Sequence, residues 1–131
     1  MRSPTPQDDL YEWHRAALAG HSQPIHEGEP QCGWYKRRFI RNGPWVAGRI
    51  WLHAEKDSDG QLVADEILHC EIGGKEYDPM EVWSYLAAHP ISRQEYDYMT
   101  ADRKWAQANA PQDAAANETH AVDFNKLDLP F

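Results

Sequence analysis

The chain has 131 residues, thirteen of them basic and twenty-one acidic, for a formal net charge of −8. This length suits one domain with a core that needs no staples, and the acidic balance excludes a bulk nucleic-acid coat. No stretch approaches the roughly 18 apolar residues of a membrane span, and residues 1–10 lack the apolar region of a secretory signal, so the expected location is the cytoplasm.

Two prolines make residues 1–7 a loose arm. A short helix is predicted over Asp8–Ala19, capped by Asp8 or Asp9, with Leu10, Trp13, Ala17 and Leu18 on one face and Gly20 at its end. Pro24, Gly28 and Pro30 mark an irregular connector, which completes an N-terminal arm over residues 1–30. Cys32 and Cys70, the two cysteines, are expected to be reduced and buried rather than paired.

From Gly33 the pattern turns to strand. Alternation over Gly33–Arg41, then Asn42-Gly43, then Pro44 and a second strand over Trp45–Glu55 predict a hairpin across 33–55. A polar turn at Lys56–Gly60 leads to a third strand over 64–72, and Gly73-Gly74 leads to a brief fourth at Lys75–Tyr77. Asp78, Pro79 and Glu81 open a helix that runs to about Ala88. Ser92 and Glu95 open another that runs to about Asn109, where Ala110-Pro111 ends it. The expected fold is α+β: a small antiparallel sheet of three to four strands followed by two helices, with a single core domain over 31–110. Residues 111–121 carry no large apolar side chain and read as a linker. Residues 122–131 turn apolar again and read as a docking peptide.

A two-residue Asn42-Gly43 loop sets Arg41 opposite Pro44, Lys36 opposite Arg49 and Trp34 opposite Trp51. One face then carries Tyr35, Arg37, Phe39, Arg41, Val46, Gly48, Ile50 and Leu52, continued by Leu68, Cys70 and Ile72. This face reads as core. The other carries Trp34, Lys36, Arg38, Ile40, Trp45, Ala47, Arg49, Trp51 and His53. Five basic residues and no acid lie between Tyr35 and Trp51, which leaves eight basic against twenty-one acidic residues elsewhere. Tryptophans among cations suit single-stranded nucleic acid: bases stack on the rings and cations follow the phosphates. The candidate contacts are Trp34, Lys36, Arg38, Trp45, Arg49 and Trp51. The same residues equally suit a face covered by the helices through Trp83, Tyr85, Leu86, Tyr96, Met99 and Trp105, with arginine stems laid along the rings.

Nothing in the sequence indicates an enzyme. Phosphate-loop, dinucleotide and serine-nucleophile motifs are missing. Cys32, His53, His69 and Cys70 match no zinc spacing, and adjacent His69 and Cys70 point to opposite faces of a strand. Asp57, Asp59 and Gly60 form only a fragment of a calcium loop, since Glu66 comes too early. No cofactor or metal is expected.

The last residues place Phe124, Leu127, Leu129 and Phe131 among Asp123 and Asp128. Four apolar anchors after a polar linker need a docking site, on this chain's core or on another protein. Asp123, Phe124, Asp128, Leu129, Pro130 and Phe131 resemble the C-terminal tip of bacterial single-stranded DNA-binding proteins. That resemblance implies a partner among genome-maintenance enzymes: Phe131 would fill a pocket, its carboxylate would meet a basic residue, and the aspartates would meet a basic ridge. Lys126 departs from the pattern. Lys126, Leu129 and Phe131 also resemble sliding-clamp-binding peptides, with Lys in place of Gln. In the body, Cys32-Gly33-Trp34-Tyr35, Gly43-Pro44-Trp45-Val46, Arg49-Ile50-Trp51, Asp78-Pro79 with Trp83, and His89-Pro90-Ile91-Ser92 with Glu95-Tyr96 resemble small bacteriophage and prophage proteins, which implies a bacterial host cell.

The expected function is a non-catalytic phage-type accessory protein of DNA replication or recombination. It would contact single-stranded nucleic acid through the hairpin face and recruit a host protein through its C-terminal peptide. Alternatives are an acidic inhibitor of a host nucleic-acid enzyme or defence nuclease, and a structural, virion or self-assembling protein.

Overall fold

The alternating residues after Gly33 form an antiparallel meander. In this computed structural model, which describes residues 4–21, 23–26 and 28–110, β1 (Gly33–Arg37), β2 (Val46–His53), β3 (Ile67–Ile72) and β4 (Lys75–Tyr77) lie side by side in that order. The helices among the described residues are α1 (Gln7–Leu10), α2 (Glu12–Leu18), α3 (Pro79–Leu86) and α4 (Arg93–Asn109). The class is α+β, as the residue pattern indicates.

One sheet face forms the core. Tyr35, Val46, Ile50, Cys70 and Ile72 meet Val82, Trp83 and Leu86 of α3, and Trp13 of α2 packs against them. Trp83 sits edge-on to both Tyr35 (5.5 Å) and Trp13 (5.1 Å). Full burial of such aliphatic and aromatic side chains stabilises by about 1.5–3 kcal/mol each.

Both long helices begin where their caps indicate. The Asp78 carboxylate accepts from the Met80 N–H at 2.9 Å, with Pro79 in the first turn, and the Ser92 hydroxyl accepts from the Glu95 N–H at 3.0 Å. Between α3 and α4 the chain runs along the outer edge of β1. The Lys36 N–H donates to His89 O, the Ile91 N–H donates to Trp34 O, and Pro90 sits opposite Tyr35. Proline fits there because an edge position needs no outward N–H. This crossing takes the chain from the core face to the opposite face, where α4 contacts β1 and β2. Both faces of the sheet are therefore covered in part.

The first hairpin differs from the expected two-residue loop. β1 stops at Arg37 and β2 starts at Val46, with Arg37 opposite Val46, Lys36 opposite Ala47 and Trp34 opposite Arg49. The turn lies one residue earlier, at Ile40–Gly43: the Gly43 N–H donates to Ile40 O and Asn42 has φ 61°, as in a type II turn. Pro44 has no N–H for a ladder, and Arg37, Arg38 and Trp45 are held in side-chain stacks, so residues 38–45 stay outside the strands. The register moves by two residues, and each side chain therefore keeps its expected face.

The third strand begins at Ile67 rather than 64, because Glu66 is drawn away to the N–H and hydroxyl of Thr5 (3.1 and 2.9 Å). The N-terminal helix is split at Tyr11 into α1 and α2.

Candidate nucleic-acid interface

The three tryptophans of the second face occupy three different settings. Trp34 stacks on Tyr11 at 5.1 Å, with His14 edge-on at 5.5 Å and the Arg93 guanidinium 5.7 Å from its ring. Trp51 stacks on His69, its cross-strand partner, at 5.4 Å, and the Arg49 guanidinium lies 4.3 Å from the same ring. Arg49 also pairs with Glu71 at 3.5 Å. Trp34, Arg49 and Trp51 are thus committed to neighbours within the fold.

Lys36, Arg38 and Trp45 come together at the far end of the hairpin. The Arg38 guanidinium lies 4.4 Å and the Lys36 ammonium 4.9 Å from the Trp45 ring, and His89 meets that ring edge-on at 4.7 Å. Lys36 also reaches Glu95 at 3.7 Å. On the core side of the same strand end, Arg37 is held by two rings, 4.2 Å from Tyr85 and 4.4 Å from Phe39. Between these clusters runs a groove of ≈ 540 Å³ lined by Arg37, Arg38, Trp45, Ser84, Tyr85, Ala88 and His89. Its lining has no acidic side chain. A guanidinium laid on an aromatic ring still presents its N–H edge, so it can hold a phosphate while stacked.

Arg37, Tyr85 and His89 complete the groove, and alternation alone misses them. Arg37 falls on the core face by pattern, but α3 covers that end of the face with Tyr85, a side chain 56% exposed. His89 reads as a helix stop; its carbonyl is tied to β1, which fixes its ring beside Trp45. Of the helix residues expected to cover the second face, Tyr96 and Met99 of α4 line a cavity over it. Trp83 and Leu86 lie on the core face instead, and Tyr85 and Trp105 are exposed. The predicted partner-binding residues Asp123, Phe124, Leu127, Asp128, Leu129, Pro130 and Phe131 lie outside the described residues.

Among the described residues, no three His, Cys, Asp or Glu side chains gather as a metal site. Cys70 is buried in the core, whereas His69 faces the other way and hydrogen-bonds Glu76 at 2.9 Å. Asp57 turns its carboxylate onto the Asp59 and Gln61 N–H groups, closing the polar turn. Burial pushes the Cys32 thiol up to about 11, and burial with some influence of Glu71 pushes Cys70 up to about 12. Neither thiol is poised as a nucleophile. No described helix is long and apolar enough to cross a membrane. No protein-family model, curated protein or solved structure matches the chain.

Proposed function

We propose that this chain is a non-catalytic accessory protein of DNA replication or recombination that holds single-stranded nucleic acid in the groove at the hairpin end. The observation that carries this reading is the groove itself: Arg37, Arg38, Trp45, Tyr85 and His89 line it with no acidic side chain in the lining, in a chain of net charge −8. Rings and cations in one acid-free channel suit a strand whose bases stack and whose phosphates need neutralising. The resemblance of residues 123–131 to the tip of single-stranded DNA-binding proteins supports a second role, the recruitment of a host genome-maintenance enzyme. A nucleic-acid contact and a recruiting peptide in one chain reinforce each other through effective concentration.

The test is titration of a labelled single-stranded oligonucleotide at about 50 and about 200 mM salt. Each phosphate contact adds about −0.7 to the log–log salt slope. Arg37→Ala with Arg38→Ala is expected to weaken binding and flatten that slope. No binding by the intact protein at the lower salt rejects the reading.

A second reading, an inhibitor that occupies the basic channel of a nucleic-acid enzyme, draws on the outer face of α4. Tyr98 and Trp105, 72% and 62% exposed, stand seven residues apart, with Asp102 between them on the same helix face. Under this reading Tyr98→Ala with Trp105→Ala abolishes binding to a nuclease, and removing residues 123–131 leaves it intact.

A further inference from the structure

Trp45 walls two cavities, and the groove is one of them. The other, of ≈ 390 Å³, lies between the start of β2, the Gly73-Gly74 turn and the face of α4 that runs from Tyr96 to Gln107. We propose that this second cavity receives one base of the strand whose phosphates lie in the groove. The inference rests on the nucleic-acid reading above and adds the site that takes the base.

Size and chemistry agree. Small-molecule sites occupy about 300–1,000 Å³ and combine apolar walls with a few polar groups. Here the apolar walls are Trp45, Tyr96 and Met99, and Thr100, whose side chain also bonds Tyr96, and Gln107 are the uncharged polar side chains of the lining. Arg103 and Lys104 of α4 line the same cavity. They extend the cations of the groove, Arg37 and Arg38, to the other side of Trp45.

The carboxylate in this cavity is already engaged. Glu71 accepts from the Tyr96 hydroxyl and the Gly74 N–H, both at 2.6 Å, and pairs with Arg49 at 3.5 Å. Burial, and then the Glu71 bond, push the Tyr96 phenol up to about 12, so it remains a donor to Glu71. The Arg49 contact offsets part of the Glu71 charge, and the lining cations Arg103 and Lys104 outnumber this one carboxylate. Of the two glycines at that turn, Gly73 packs closely on Val46 and Arg103, whereas a methyl group placed at Gly74 would meet nothing within 4 Å.

The full chain tests this with two strands of equal length, one carrying bases and one abasic. The two variants are Met99→Trp, which fills the cavity, and Lys104→Ala, at an exposed rim position that the core does not need. The intact protein is expected to prefer the base-bearing strand by about tenfold, the scale of one stacked base. Met99→Trp is expected to remove most of that preference while keeping the salt slope. Lys104→Ala should flatten the slope by about 0.7. If Met99→Trp does not fold, Thr100→Leu, a smaller filling of the same cavity, takes its place in the comparison of base-bearing and abasic strands. Variants that bind both strands as the intact protein does overturn the base site, and the groove reading stands if Arg38→Ala still weakens binding. Failure of the intact protein to bind either strand overturns both.

Discussion

His14 and Ile91, 77 positions apart, meet at the edge of the sheet: the His14 Nε2 lies 2.8 Å from Ile91 O, and 2.9 Å from Trp34 O. Carbonyl oxygens only accept, so Nε2 carries the proton and donates to both. One ring thus ties α2, β1 and the crossing between α3 and α4 together, and it is 2% exposed. His14→Ala removes a buried donor and leaves a cavity beside β1 and the crossing between α3 and α4. We expect a loss of about 2–4 kcal/mol in urea unfolding. A loss within about 0.5 kcal/mol, typical of surface substitutions, would show that the three elements hold together without it.

The same histidine makes stability depend on pH. Burial lowers its pKa below the usual 6.5, outweighing the two carbonyl bonds, which act to raise it. The unfolded chain takes up the proton at about 6.5 and the folded chain only at a lower pH. The contribution of His14 is therefore complete above about pH 6.5 and is lost as the pH falls toward the folded value. Urea midpoints measured from about pH 7.5 to about pH 5.5 should fall more steeply in the native chain than in His14→Gln. Equal slopes would exclude His14 as the cause.

Gly33 is the position that lets this ring in. A Cβ at Gly33, which has φ 157°, would lie 2.5 Å from the His14 Cδ2. The imidazole is held on two sides and cannot yield. Gly33→Ala is therefore expected to cost about 1–3 kcal/mol. Combined with His14→Ala the two losses should be less than additive by at least about 0.5 kcal/mol, because the clash disappears with the ring. Strict additivity in that double-mutant cycle would contradict the contact.

The alternation from Gly33 to Ile50 shows which side chains face the core, and this holds because a two-residue register change leaves faces unaltered. Asp78 and Ser92 mark the helix starts for an equally local reason: a cap acts within three residues. The hairpin loop is not legible in this way. Asn42-Gly43 is a strong local signal, but Arg37 on Tyr85 and Trp45 on His89 are contacts some 45 residues apart in sequence, and they settle where the strands end. The candidate groove depends on those same distant contacts. Hence Lys36, Arg38 and Trp45 can be named from the pattern, while Arg37, Tyr85 and His89 need the fold.

Both cysteines should resist modification in the folded state. Cys32 is 2% exposed and Cys70 fully buried, with thiols raised to about 11 and about 12. A thiol-reactive dye at about pH 8 should label neither until denaturant is added, since the thiolate is the reacting form. The sign for stability is opposite to that of His14. The unfolded thiols ionise near 9.0 while the folded ones stay protonated, so their contribution is complete below that pH and declines above it. Rapid labelling of the native protein would show that the core opens at these positions.

Trp51 separates the whole-face reading of the hairpin from the groove reading. By pattern it belongs with Trp34 and Trp45 as a stacking platform. In the structure its ring is stacked on His69 and capped by Arg49, away from the groove that Trp45 lines. Trp51→Ala should therefore act on stability, at about 1–3 kcal/mol for a half-buried aromatic with a cation over its ring. Oligonucleotide affinity should change by less than about twofold. Trp45→Ala should do the reverse in binding, with a loss on the order of the 1–3 kcal/mol of a base–aromatic stack. If Trp51→Ala weakens binding as much as Trp45→Ala does, the strand follows the open sheet face, and the groove at the hairpin end is only one end of its path.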